Sequence, residues 1–382
     1  MPDIVPRSLP RPRSPLARGA ATDTTTDVIS YNLPAVTSAF AWELNPHCDQ
    51  DLEQDLYGWL QDTFADYPHV TGWWQHIRNS LLHMWGPLVY PRIDRTTLTA
   101  WNRKIMAWVM IDDINERRMT RDRATAQERS APWQELLHCL DIITDSADPA
   151  QAITELGLSE AVQATALVTL ELTQLMSPAA RDLFCRAMAQ MTRSFVREEA
   201  GFDTPDTAAT ISLADYLAWR DHSYSIQVFM AGALDQTTTP LAPHEITDPR
   251  MEQMRLAISL HCGLANDLYS FRKEVTYRRD HLRRQLNVIP VLRFGHGHTW
   301  QQAVNYTVGM IHDQQAEYLR VRDAWFTEGA SPAVREYCRA LESIQAGNLR
   351  FLMINPRYHG NDFNGEFTGG RVVCHPADQN LF

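Results

Sequence analysis

Asn266, Ser270 and Glu274 stand four residues apart in the run Asn266-Asp267-Leu268-Tyr269-Ser270-Phe271-Arg272-Lys273-Glu274. In a helix that spacing sets three oxygen donors on one face, and with Lys273 they fall within roughly 100° of arc. A cation can rest against such donors while the ammonium faces the cation's anionic partner. Mg²⁺ prefers hard oxygen ligands and fills the rest of its shell with waters or substrate phosphates, so the run reads as half of a metal–phosphate site.

Asp112-Asp113-Ile114-Asn115-Glu116 supplies the other half. It ends an apolar stretch, Leu98, Trp101, Ile105, Trp108 and Val109, and positions 105, 108, 109, 112 and 116 share one helical face. Asp112 and Glu116 should therefore point inward with the apolar side chains, and Asp113 is expected to join them as a ligand. Buried carboxylates need a counter-charge, because desolvation costs on the order of several kcal/mol per ion, and a divalent cation is the natural partner.

Each motif alone has a plainer reading. An acidic cluster on a helix is commonly a solvated charged face, polar residues four apart commonly support a helix surface, and an Arg-Tyr pair is commonly a surface ion pair beside a half-buried phenol. Arg220 by itself says almost nothing. Order and spacing lift all four.

Taken in that order, the motifs resemble the class I terpene synthases of bacterial type. Asp112, Asp113 and Glu116 match the family's aspartate-rich motif. Asn266, Ser270 and Glu274 match its Asn-Ser-Glu triad, with Lys273 at the basic position before the Glu. Arg220 stands where the family keeps its diphosphate-sensing arginine, and Arg357-Tyr358 looks like its late Arg-Tyr pair. Asn45-Pro46-His47, Tyr90-Pro91 and Asn287-Val288 are fainter echoes, so the resemblance runs from about residue 40 to 358. It implies a cluster of three Mg²⁺ ions and a diphosphate held by Arg220, Lys273, Arg357 and Tyr358. It also places Tyr224, four positions after Arg220, in the role of an effector whose carbonyl receives the sensed diphosphate, although the family usually carries a small residue there.

The elements that must carry these residues read as helices nearly throughout. Periodicity predicts helices over 49–66, 72–85, 95–118, 128–145, 158–175, 178–199, 213–233, 247–276, 298–327 and 331–354. Turn signals separate them at Tyr67-Pro68, Gly86-Pro87, Asp148-Pro149, Ser177-Pro178, Thr237–Pro243, Gly295–Gly297 and Gly329–Pro332. Runs of alternating β-branched residues are missing. The expected fold class is all-α: one class I terpenoid-synthase-like helical bundle with a central cavity over 39–358. A disordered Pro/Arg-rich leader is expected before it, over 1–38, and a loop or mobile lid after it, over 359–382.

Composition agrees with that single large domain. The 382 residues show no internal repeat and no long Pro/Gly/Ser linker after residue 40, and 44% are hydrophobic, with 11 Trp, 13 Phe and 12 Tyr to line a core or a pocket. The net charge of −11 argues against a nucleic-acid-binding class, where a basic stripe is expected. Cys48, Cys139, Cys185, Cys262, Cys338 and Cys374 show no Cys-x-x-Cys spacing and read as free thiols, which fits a reducing cytoplasm. There is no apolar run long enough to span a bilayer, so no stable membrane insertion is expected.

An acidic motif on one wall and a triad on another make a cavity with a metal-lined mouth and an aromatic interior. Trp108, one turn before Asp112, is the first candidate for a ring facing a carbocation; Phe351, where the family often has an aromatic, is the second. For any one such ring plain core packing is the competing reading. The resemblance implies ionisation and cyclisation of a linear isoprenyl diphosphate, farnesyl ahead of geranylgeranyl. The alternatives are a chain-elongating prenyltransferase, which usually carries a second aspartate-rich motif, a Mg²⁺-dependent isoprenyl diphosphate phosphohydrolase, and a non-catalytic helical binding protein. Family members are often homodimers, but the helix faces single out no interface.

Overall fold

The computed structural model describes residues 28–65, 73–117, 124–202, 204, 206–360 and 363–374. In chain order the helices are α1 (Gln50–Thr63), α2 (Trp73–Asn79), α3 (Trp85–Val89), α4 (Arg95–Arg117), α5 (Ala126–Asp145), α6 (Pro149–Glu155), α7 (Glu160–Leu175), α8 (Pro178–Phe202) and α9 (Thr207–Thr210). They continue as α10 (Leu213–Ser223), α11 (Ile226–Gly232), α12 (Pro243–Ile246), α13 (Pro249–Arg278), α14 (Val288–Gly295), α15 (Trp300–Glu328), α16 (Pro332–Ile354) and α17 (Pro356–His359). The helical bundle is the expected class.

The long helices begin where side chains satisfy their first amides. Asp94 accepts from Thr97 N at 3.1 Å ahead of α4, and Ser331 accepts from Val334 N at 3.2 Å ahead of α16, which has Pro332 in its first turn. At 30 residues α13 is about 45 Å long. It packs against α10, α14, α15 and α16 and so forms the spine of the molecule. One apolar core gathers α1, α4, α5, α7, α8, α11 and α16; the other surrounds α13, α14 and α15. Gly347 lets α16 approach α3, since a Cβ there would sit 2.1 Å from the Leu88 carbonyl oxygen.

Several expectations need correction. The predicted helix over 213–233 is two helices, because Ser225 takes a left-handed φ of 71° and turns the chain between α10 and α11. The one over 72–85 ends at Asn79, with Leu81 at φ 47°, and Gly86-Pro87 lies inside α3 and not in a turn. The short helices α6, α9, α12, α14 and α17 fall outside the predicted spans.

The ends differ too. β1 (Ile29–Leu33) pairs antiparallel with β2 (Gly370–Cys374), Ile29 opposite Cys374 and Leu33 opposite Gly370. Ile29, Tyr31 and Leu33 alternate inward against the second core, and Asn32 exchanges hydrogen bonds with Gln301 of α15 at 2.7 and 2.8 Å. Part of the expected leader and part of the expected tail thus belong to the folded body. Residues 1–27 and 375–382, like the Tyr67-Pro68 turn signal, lie outside the described residues. All six cysteines are free thiols. Among the described residues no helix is long and apolar enough to cross a membrane.

Candidate active site

On α13, Asn266, Ser270, Lys273 and Glu274 all line one cavity, as their spacing required. Ser270 Oγ donates to Glu274 Oε1, while Glu274 Oε2 accepts from Gln285 Nε2 and, at 3.0 Å, from Asn287 Nδ2. Asn287 also donates to the Asp267 carbonyl at 2.9 Å and caps α14 through Ile289 N at 2.9 Å. A loop-to-helix transition therefore fixes the triad's carboxylate in place.

Arg220, near the end of α10, is buried beside the triad. It donates to Asn266 Oδ1 at 2.9 Å and to the Gly263 carbonyl at 3.2 Å, and its ion pair with Asp267 is 2.6 Å. Gly263 makes room for this side chain: a Cβ there would lie 3.2 Å from Arg220 Cγ. Asp267 also accepts from Tyr216 Oη and from Val288 N at 3.3 Å. Burial pushes the Asp267 carboxyl up to about 7 against the pull of Arg220. Burial is the strongest single influence against the charge on Arg220, yet Asp267, Tyr216, Glu274 and Glu198 together outweigh it and hold the guanidinium firmly protonated.

Opposite, α4 and α17 meet. Asn355-Pro356 ends α16, and Asn355 Oδ1 accepts from Arg357 N at 2.9 Å, so the chain swings Arg357 and Tyr358 into the cavity. Arg357 grips Asp113 with both terminal nitrogens, Nη1 at 3.0 Å from Oδ2, and comes within 3.9 Å of Asp112. Asp112 lines the cavity with its side chain 40% exposed, whereas Asp113 is buried under Arg357. Asp113, turned about 100° from Asp112 on the helix, faces Arg357. The side chain of Glu116 lies outside the described residues.

Tyr358 Oη lies 3.4 Å from Asn266 Nδ2, joining the two walls. Burial lifts its phenol to about 12, and lifts that of Tyr224 further, so both are proton donors at neutral pH. The bulk of Tyr224 fits because its ring lies 5.1 Å from the Arg220 guanidinium carbon and its hydroxyl donates to Asn348 Oδ1 at 2.8 Å. Trp85 Nε1 reaches the same oxygen at 3.3 Å.

Below this polar mouth the walls are apolar. Trp108 and Phe351 both line the cavity, of about 220 Å³, together with Trp85, Phe195 and Phe229. Trp108 is backed by Trp133 at 4.9 Å and Phe195 at 5.2 Å between ring centres, which locks the ring facing the lumen.

The residues present fit a hard divalent cation. Asp112 on one wall and Asn266, Ser270 and Glu274 on the other offer carboxylate, amide and hydroxyl oxygens to the same space, the donor chemistry Mg²⁺ takes. Among the described residues no cluster of three or more His, Cys, Asp or Glu offers an alternative centre.

Sequence reasoning passed over Asp267 and Tyr216, which hold Arg220, and Gln285, which holds Glu274. Asp267 was visible inside the motif as an acid facing away from the triad. Lys104 was passed over as well. It lines the cavity two turns before Asp112, where a lysine breaks the apolar stripe.

A bundle of this kind, with carboxylate and Asn-Ser-Glu walls around an aromatic cavity, defines the class I terpene synthase fold. Residues 104–317, more than half of the chain, match the model of terpene synthase family 2, C-terminal metal binding, and the chain belongs to that family of enzymes. It is 24% identical over 325 residues to the (2Z,6E)-hedycaryol synthase of Kitasatospora setae, covering 84% of this chain and 88% of that one. It is 23% identical over 368 residues to the (E)-2-epi-beta-caryophyllene synthase of Selaginella moellendorffii, covering 91% and 92%. Among solved structures, hedycaryol synthase in complex with nerolidol superposes with a TM-score of 0.65 at 20% identity, covering 84% of this chain and 99% of that one. Germacradien-4-ol synthase from Streptomyces citricolor gives 0.63 at 17% identity, covering 83% and 97%.

Proposed function

We propose that this enzyme is a Mg²⁺-dependent cyclase that ionises farnesyl diphosphate and closes the resulting cation into a sesquiterpene. The observation that carries the reading is the polarity of one cavity: Arg220, Lys273, Arg357 and Tyr358 at the mouth, and Trp108, Phe229 and Phe351 within. The relatives named for hedycaryol and caryophyllene, both sesquiterpene skeletons, favour farnesyl over geranylgeranyl diphosphate.

Asp112, Asn266, Ser270 and Glu274 would hold the metal, with Glu116 completing the acidic motif. When bound, Mg²⁺ supplies Lewis-acid neutralisation of the leaving diphosphate. The barrier to ionisation is charge separation. Two unit charges at 4 Å interact by about 1 kcal/mol in water and about 4 kcal/mol at an effective dielectric near 20, so fixed cations in a closed cavity act far more strongly than solvated ones. Arg220 is pre-aimed by Asp267 and Gly263, and Tyr358 and Lys273 add donors. The turn at Ser225 follows Tyr224, whose carbonyl takes the effector's part. The rings of Trp108 and Phe351 each stabilise a cation by about 0.5–2 kcal/mol and offer it no lone pair to trap it.

The deciding experiment incubates purified protein and Mg²⁺ separately with geranyl, farnesyl and geranylgeranyl diphosphate, and reads extracts by gas chromatography–mass spectrometry beside Asn266→Ala. A cyclic product from farnesyl diphosphate, absent in the variant, is expected. Diphosphate release with only linear alcohol would establish a phosphohydrolase, and cyclic product from geranylgeranyl diphosphate alone would reassign the substrate.

A further inference from the structure

Lys104 is a lysine in an apolar place. It lies on the cavity face of α4 in register with Trp108 and Asp112, eight residues and therefore about 12 Å along the helix from the acidic end. The side chain is 2% exposed, and Nζ sits 4.2 Å from the centre of the Trp108 ring. Among the described residues no carboxylate pairs with it and no hydrogen bond holds it.

We propose that Lys104 is the catalytic base that ends the reaction, its neutral amine taking a proton from the cyclised carbocation. This rests on the cyclase reading above. The C–H bond next to the cationic carbon breaks, its electron pair becomes the new C=C bond, and the proton passes to Nζ. The resulting ammonium hands that proton to the diphosphate product or to water when the cavity opens.

Two observations support it beyond position. Burial alone lowers the Lys104 ammonium to about 7, so the free amine is available at neutral pH, and expulsion of water by an apolar substrate favours it further. The other basic groups around the cavity are committed at the mouth. Asp112 and Glu274 belong to the metal walls, and Asp267 is held by Arg220. Glu198 on α8 acts on Arg220, and Asp113 is taken by Arg357. The cations Lys273, Arg220 and Arg357 lie with them. Tyr224 and Tyr358 keep their protons.

The test measures product composition from farnesyl diphosphate and Mg²⁺ between pH 6 and 9, for the wild type, Lys104→Met and Lys104→Arg. In the wild type the share of the main cyclic olefin among all volatile products should rise at least threefold as pH passes upward through about 7. Both variants should lose at least tenfold of that olefin relative to its isomers and alcohols, and the remainder should no longer vary with pH. A wild-type composition constant in pH overturns the proposal without any variant, so it stands even if a variant misfolds. A wild-type mixture from Lys104→Met, an alcohol as sole product, or a hydrocarbon adduct on Lys104 in the intact mass would each overturn it while leaving the cyclase intact. Absence of any cyclised product would remove the cyclase reading and the base with it.

Discussion

The mouth and the floor of the cavity hold charge in opposite ways. At the mouth nearly every ionic group is locked to another: Arg220 to Asp267, Arg357 to Asp113, Glu274 to Ser270, Gln285 and Asn287. On the floor a lone ammonium lies over an indole among apolar side chains, and burial loosens its proton. The first arrangement keeps charges ionised and aimed, ready to oppose a polyanion. The second makes a charge labile. A polar network thus serves orientation, and its absence serves proton transfer, within one pocket and partly on one helix.

The sharpest way to break the mouth is to remove a partner of a buried cation. Asp267→Ala leaves Arg220 buried without its carboxylate, and breaking such a pair destabilises by about 3–5 kcal/mol. Urea denaturation should show that loss, and a change under about 1 kcal/mol would mean that the Tyr216–Asp267–Arg220 network does not hold the mouth together. Next in size is Glu274→Ala, which takes away a carboxylate that three side chains aim into the cavity. Steady-state diphosphate release should fall roughly 10²–10³-fold, the scale for losing one preorganised electrostatic group. Activity within a few-fold of the wild type would exclude Glu274 from metal binding.

How much of this was legible depended on whether the signal was local. Asn266, Ser270 and Glu274 could be placed on one face because helical period and side-chain chemistry were both in the run itself. Asp112 was legible for the same reason. The swing of Arg357 went unread, although Asn355-Pro356 marks it. The break at Ser225 was not legible, since no Gly or Pro marks it and the turn is made by a serine in the left-handed region. Nor was the terminal ribbon, whose strands come from opposite ends of the chain and show alternation over only five residues each. Both depend on contacts between distant segments, which periodicity does not report.

The floor offers the contrary experiment, a substitution that should stabilise. Lys104→Met replaces a buried amine with an apolar chain of similar length, and removing a buried charge in this way gains about 1–4 kcal/mol. The sign follows from linkage. The unfolded ammonium titrates near about 10.4 and the folded one at about 7, so between those values the unfolded chain holds more protons and wild-type stability climbs with pH. Below about 7 the penalty on the folded state is complete. The gain from Lys104→Met should therefore be full at pH 7 and vanish above about pH 10.4. Denaturation midpoints that shift equally at pH 7 and pH 10.5 would show that the methionine acts by packing and not by charge.

The smallest expected effect refines the contrast between the two regions. Trp108→Ala removes a ring face from the floor but touches none of the ion pairs at the mouth. Each ring contributes about 0.5–2 kcal/mol to a nearby cation, which is roughly 2- to 30-fold in the ratio of competing products. Diphosphate release should fall less than tenfold, because ionisation is driven from the mouth, while product ratios shift within that range. Product ratios unchanged by Trp108→Ala would make the ring plain core, held by Trp133 and Phe195. A collapse of diphosphate release would mean that floor and mouth are not separable, since ionisation would then depend on the ring that waits for the cation.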